Sequence, residues 1–284
     1  NDLNKDTLSE TLEINQIDTL DIAMQLREIG DFNQAIEVLE GKINQFPENA
    51  NMLTLLSHCY LLADQVGAAK IYLDKAKKIL PENASVGWNT VRLTLKEQKP
   101  LEALNIARDF SQRFPDDVEG MGVLGACLRV NSEVSESLKV LNLAIELNPN
   151  YAEALVNRGL IRLSQKDKLE ALADLEKAHK IKPYIKEIWH LVIGLKAEAK
   201  QYLDAILLLI NMIEIDPNWE EGLSLLGVCN QKADDSALAV KAFEKVLEVK
   251  PGSATMHVNL GIALTKKGET KTAIANFNNA LAIK

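Results

Sequence analysis

Between Asn150 and Pro183 the apolar residues come in two bursts separated by a polar stretch. In the first, Ala152 to Ser164, Leu155, Gly159 and Leu163 recur every fourth residue, the spacing that stacks side chains on one face of an α-helix. In the second, Lys168 to Lys180, the apolar Leu169, Leu172, Leu175 and Ala178 fall near one face. Pro183 ends the second helix, because proline has no amide hydrogen to continue the backbone ladder. The pattern predicts two short amphipathic helices joined by a turn, and it returns along almost the whole chain.

The prolines set the phase of that return. Of the eight, seven are spaced by 34 residues: Pro47, Pro81, Pro115, Pro149, Pro183, Pro217 and Pro251. The eighth, Pro100, falls where the second helix of its repeat begins, a first-turn position that tolerates proline. With the seven prolines placed at slot 32, slot 20 holds Ala35, Ala69, Ala103, Ser137, Ala171, Ala205, Ala239 and Ala273. Slot 8 holds Gly125, Gly159, Gly227 and Gly261, with Ala23 and Ser57 in two further repeats. Slot 24 is Leu or Phe in seven of eight repeats, Ala107 being the exception. Small residues at slots 8 and 20 predict close approach of two helix backbones, where a bulkier side chain would overpack at a cost of about 1–3 kcal/mol. Val91 and Ile193 at slot 8, and Arg158 at slot 7, predict local repacking.

This cadence resembles the tetratricopeptide repeat family, whose period is 34 with small-residue, aromatic or leucine, and proline landmarks in the same order. The resemblance covers residues 16 to 284 as eight repeats: 16–49, 50–83, 84–117, 118–151, 152–185, 186–219, 220–253 and 254–284. It implies an all-α fold, a right-handed α-solenoid superhelix of antiparallel helix pairs. The family is defined by its scaffold and not by a chemistry, so the resemblance implies a binding role without naming a partner. Residues 1–15 lie outside the clean repeats, and Leu3, Leu8 and Leu12 predict an N-terminal helix or a linker. Asn49, Asn83, Asp117 and Ser253 stand at junctions as expected N-caps. Tyr151, Ile185 and Trp219 occupy the slot before a first helix, where long arrays of this family wedge an apolar side chain between repeats. The last repeat stops at Lys284, three slots short, with no polar capping helix after it. The expectation is a fragment of a longer protein, or an open end covered by a second copy.

Composition narrows the partners. A net charge of −8 and a pI near 5.2 argue against nucleic acid, whose phosphates call for clustered Lys and Arg. No apolar run reaches membrane-spanning length, so no membrane insertion is expected. Cys59, Cys127 and Cys229 are 68 and 102 residues apart, all at slot 10, with repeats between them. That separation excludes disulfides within one solenoid and predicts buried free thiols, which suit a reducing, cytoplasmic setting.

No catalytic residue, cofactor or metal is expected within this chain. Gly120-Met-Gly122-Val-Leu-Gly125 matches a dinucleotide fingerprint literally, yet FPDDVE precedes it where a strand is required. His58, His179, His190 and His257 sit in different slots without metal-ligand spacing.

The resemblance implies a concave groove lined by the first helix of each repeat. The candidate lining is Leu20, Met24, Arg27, Thr54, His58, Leu61, Trp88, Asn89, Arg92, Lys96, Arg129, Val156, Asn157, Leu160, His190 and Gln231. Trp88 beside Arg92 is the expected anchor, since tryptophan and arginine dominate binding hot spots. Glu119, Glu153, Glu187 and Glu221 form a ladder at slot 2 that would receive a basic segment, or would merely complement the helix dipole. The Lys and Asn clamp that some members use on acidic C-termini is not supplied by any three successive repeats. The asparagine ladder of others is broken, with only Asn89, Asn157 and Asn259 in place. On the outer face of repeat six, Leu207 and Ile210 occupy slots that are polar in most other repeats, which predicts a docking or self-association stripe. The reading is a scaffold that holds a peptide or partner segment in its groove. The alternative is the recruiting or dimerising arm of a larger enzyme, such as a glycosyltransferase or methyltransferase.

Overall fold

A computed structural model describes residues 18–185, 188–215 and 219–283. The expected N-terminal helix or linker at 1–15, together with Pro217, Glu187 and the end at Lys284, lies outside the described residues. Among the described residues all regular structure is helical, without strands, as an all-α solenoid requires.

The chain forms two compact units, Asn1–Ile188 and Trp189–Lys284. The first unit contains α1 (18–28), α2 (Phe32–Ile43), α3 (Ala50–Leu62), α4 (Val66–Ile79) and α5 (Ala84–Lys96). It continues with α6 (Pro100–Arg113), α7 (Val118–Val130), α8 (Val134–Leu147), α9 (Ala152–Ser164) and α10 (Lys168–Ile181). The second holds α11 (Trp189–Glu198), α12 (Tyr202–Ile215), α13 (Glu220–Lys232), α14 (Ser236–Val249), α15 (Ala254–Lys267) and α16 (Thr270–Ala282). From α2 onward within each unit a helix packs against the next in the chain, and α3, α5, α7 and α9 also stack on one another, as α13 does on α15. The odd-numbered helices are therefore the inner layer and the even-numbered ones the outer.

Local chemistry starts these helices as expected. Asn49 accepts from the Met52 amide, Asn83 from Val86, Asp117 from Glu119 and Ser253 from Met256. Pro100 opens α6. The first helix of each repeat is followed by a left-handed residue at slot 15. Gly30 and Gly268 take it without strain, whereas Asp64, Gln98, Ser132, Lys166, Lys200 and Asp234 adopt the same positive φ without a glycine's freedom.

The small slots meet across each pair. Ser57 Oγ donates to the Ala69 carbonyl at 3.0 Å, and Ser137 Oγ to the Gly125 carbonyl at 2.7 Å, each joining slot 8 to slot 20. A side chain at Gly125, Gly159, Gly227 or Gly261 would collide with Leu141, Leu175, Phe243 or Phe277, which are the slot-24 residues of the same repeats. In the third repeat the sizes are exchanged: slot 24 is Ala107 and slot 8 is Val91, both fully buried in one cluster. Large against small conserves volume at the crossing.

One local expectation holds and one needs adjustment. Arg158 does repack its surroundings: with Arg162 it grips the buried Asp174 carboxylate, at 2.7 Å and 2.6 Å respectively. Leu169, assigned to the apolar face of α10, is instead 80% exposed, while Leu172, Leu175 and Ala178 are buried. Steps of three residues drift backwards by about 60° each on a 3.6-residue helix, and two such steps carry Leu169 off the face that Leu175 presents inward.

Candidate functional site

The inner helices of the first unit carry a chain of polar contacts from one repeat to the next. On α1, Arg27 Nη1 lies 3.4 Å from His58 Nδ1 of α3. The Asn89 amide of α5 donates to the Thr54 carbonyl of α3 at 2.9 Å and accepts from Arg92 at 3.1 Å. Arg92 reaches on to Glu119 of α7 at 2.7 Å. Arg129 of α7 donates to Asn157 Oδ1 of α9 at 3.0 Å, and Asn157 donates to the Glu153 carbonyl. Lys182, at the end of α10, holds Glu153 Oε1 at 2.9 Å, while the buried Glu153 Oε2 has no hydrogen-bond partner. Tyr151 lies over Gly122 and donates its hydroxyl to the Glu119 carbonyl, the expected wedge between repeats.

Electrostatics follow from this crowding. Burial, reinforced by the nearby charges of Arg92, Arg27 and Lys182, holds the His58 imidazole well below its ordinary pKa of 6.5, so it is neutral and accepts from Arg27. Burial works against the Arg92 cation, but Glu119 and Glu153 more than compensate and its pKa is raised. Arg129 has a carboxamide partner instead, and burial lowers its pKa. Burial raises the Cys59 thiol to about 11 and Cys127 to about 12, and raises Cys229 as well. All three are free and buried, so they pack as small hydrophobes and are poor nucleophiles.

Several expected lining residues are not on a free surface. Trp88 is fully buried. Its indole fills the space left by Gly120, meets Phe110 edge-on at 5.7 Å, and donates Nε1–H to Asp117 at 2.6 Å. It is a core residue joining α5 to α6 and α7, not a groove anchor. Thr54, Leu61 and Asn89 are also buried, Thr54 with its hydroxyl on the Ala50 carbonyl. Met24 and Lys96 are exposed, the latter paired with Asp64. Leu20, Arg27, His58, Arg92, Glu119, Arg129, Glu153, Val156, Asn157 and Leu160 are half-buried on the inner layer. The glycine fingerprint lies inside α7, where Gly120, Gly122 and Gly125 make room for Trp88, Tyr151 and Leu141.

In the second unit, His190 is exposed and lies against Trp219 with ring centres 5.2 Å apart, and Trp219 Nε1 donates to Glu221. Trp219 also meets Trp189 and fills the space over Gly222. The half-buried Gln231 offers its carbonyl to Lys266. Leu207 and Ile210 are exposed on α12, at 63% and 41%, and Leu203 lies one turn before them.

Residues 26–88, 132–184 and 231–284 match family models described as tetratricopeptide repeat, and together these spans exceed half of the chain. The chain belongs to the tetratricopeptide repeat family. Among curated relatives, it is 23% identical over 251 residues to BBSome complex member BBS4 from Bos taurus, covering 87% of this chain and 41% of that protein. It is 24% identical over 185 residues to the peroxisomal targeting signal receptor of Candida albicans, covering 61% of this chain and 31% of the receptor. The chain thus spans less than half the length of these relatives. Its fold matches that of the crystallised APC/C hetero-tetramer Cut9–Hcn1, with a TM-score of 0.64, 15% identity, and coverage of 94% of this chain and 52% of that one. No helix among the described residues is long and apolar enough to cross a membrane.

Proposed function

We propose that this tetratricopeptide repeat chain is a protein-interaction scaffold whose inner layer takes an extended peptide or partner segment. The supporting observation is the polar ladder from Arg27 to Lys182. Its members, apart from the buried Asn89, are half-buried, and they join successive helices through both donors and acceptors. An extended backbone laid along such a ladder exchanges internal contacts for its own carbonyl and amide groups, while Val156, Leu160 and Met24 supply apolar contact. Fixed charges such as Arg92 and Glu119 then set direction and register. The name of the peroxisomal receptor, which is similar over part of its length, suits this mode of recognition. Three free thiols suit a reducing, cytoplasmic setting.

A photocrosslinking amino acid placed at Val156 tests this reading against one at Leu169 on the outer layer. The groove reading requires a discrete adduct from Val156 that Arg129→Ala weakens. Equal capture from Leu169 refutes it.

A second reading rests on α12. Leu203, Leu207 and Ile210 are spaced at i, i+4 and i+7 and are all exposed, a stripe that a second copy of the chain would cover. Sedimentation then shows wild type heavier than Leu207→Glu, and an unchanged sedimentation coefficient removes the stripe from any oligomer.

A further inference from the structure

The segment after α10 returns to the start of the unit. Lys182 Nζ, besides holding Glu153 of α9, lies 3.4 Å from Glu28 Oε2 at the end of α1. Two residues on, the Tyr184 ring meets Phe32 edge-on, centroids 5.4 Å apart and planes at 87°. The same ring occupies the place where a Cβ would stand on Gly30. Gly30 also has a φ of +86°, so two independent constraints converge on the absence of a side chain there. Residues about 150 positions apart in the chain are thereby in contact, and the last inner helix of the unit is tied to the first.

Tyr184 is unusual for its slot. Slot 33 holds Glu48, Glu82, Asp116, Asn150, Asn218 and Gly252 elsewhere, and Tyr184 is the one aromatic among them. Lys182 is only 17% exposed and faces two carboxylates, Glu153 and Glu28. Burial opposes its charge, yet those carboxylates more than offset that and raise its pKa; Glu28 is correspondingly lowered by Lys182 and Arg27 against the effect of its own burial.

The geometry points to Lys182–Tyr184 as a strap that latches α10 to the α1–α2 turn and closes the inner layer of the first unit against an incoming segment. The closure uses one ion pair to a half-exposed carboxylate and one aromatic edge contact on a glycine turn. Glu28, the far partner, is half-exposed, so water competes for this arm of the strap and it is the weaker of the two Lys182 pairs. When it is shut, the cations of the ladder are partnered: Arg92 has Glu119, Arg27 has Glu28 and His58, and Lys182 has Glu153 and Glu28. When it opens, Lys182, Glu28 and Tyr184 become available at the lip of the groove. This inference rests on the reading of the inner layer as the binding surface, and concerns what controls entry to it.

The test needs no ligand. A Val156→Cys variant of the full chain places a thiol on the half-buried inner face of α9, and its reaction with a maleimide on a bulky polyethylene glycol is timed. The native thiols provide the background, since Cys127 is fully buried with its pKa raised to about 12. Adding Lys182→Ala and Tyr184→Ala raises the labelling rate on the order of 10-fold while Cys127 stays unreactive, because access scales with the open fraction. Glu28→Gln, which removes only charge, gives a smaller rise in the same direction. No rise with the double substitution overturns the latch. A parallel rise at Cys127 also overturns it, since the strap would then be a structural brace of the whole unit. Crosslinks from Val156 report on the groove independently, so a failed latch and a failed groove give different results.

Discussion

Helices α3 and α4 belong to one pair and have nearly the same length, yet ten of the thirteen residues of α3 are buried and only Ala69, Leu73 and Ala76 of the fourteen in α4. The outer helix has a single face to satisfy. The inner one is enclosed by its partner and by the inner helices before and after it, and only a narrow strip remains for polar side chains. A residue on an inner helix is therefore constrained from three directions, and its slot says less about what it touches than a slot on an outer helix does. Trp88 shows the consequence: it occupies a slot that the family uses for the groove, and it is core.

Substitutions that treat the two layers alike separate them. The largest effect is expected at Trp88, where truncation to alanine leaves a cavity bounded by Phe110 and Gly120 and strips Asp117 Oδ2 of its indole donor. Urea denaturation registers a loss of about 3–5 kcal/mol for Trp88→Ala, while Ile71→Ala on the exposed side of α4 stays within about 0.5 kcal/mol. Comparable losses at both sites erase the distinction between layers.

Next comes Gly159, which lies beneath Leu175 with its prospective Cβ 2.9 Å from Leu175 Cγ. Gly159→Leu destabilises by about 1–3 kcal/mol, and pairing it with Leu175→Ala restores part of that, the exchange of sizes already present at Val91 and Ala107. A double-mutant cycle without coupling shows that slots 8 and 24 do not share volume.

The smallest effect is a pH dependence confined to the inner layer. The folded pKa of His58 is depressed below 6.5, so between that value and 6.5 the unfolded chain binds a proton that the folded chain does not. Stability contributed by the neutral imidazole is complete above 6.5 and is lost as pH falls through the folded pKa. Thermal melts between pH 7.5 and 5 decline in wild type, and His58→Gln flattens that decline. An unchanged slope shows that His58 is not protected from protons.

Much of the fold is legible along the chain because its causes are local. The helix starts at Asn49, Asn83, Asp117 and Ser253 depend on an amide three residues away or fewer. The crossing of slots 8 and 20 spans twelve residues. The site is less legible along the chain. Arg27, His58, Arg92, Arg129 and Asn157 lie half-buried on the inner layer, but Thr54, Leu61, Trp88 and Asn89 are buried within it. For Trp88 the deciding partners, Asp117 and Gly120, lie a whole repeat away, and the glycine run that admits the indole looks from the sequence like a nucleotide motif.

What the sequence by itself determined is the repeating unit: two helices, their caps, their turn and the small-against-large crossing, all set by spacing within 34 residues. Only the tertiary structure decided that Lys182 and Tyr184 meet Glu28, Gly30 and Phe32. That meeting depends on the small rotation added at each stacked pair, and such rotations accumulate through packing without leaving a trace in any one repeat.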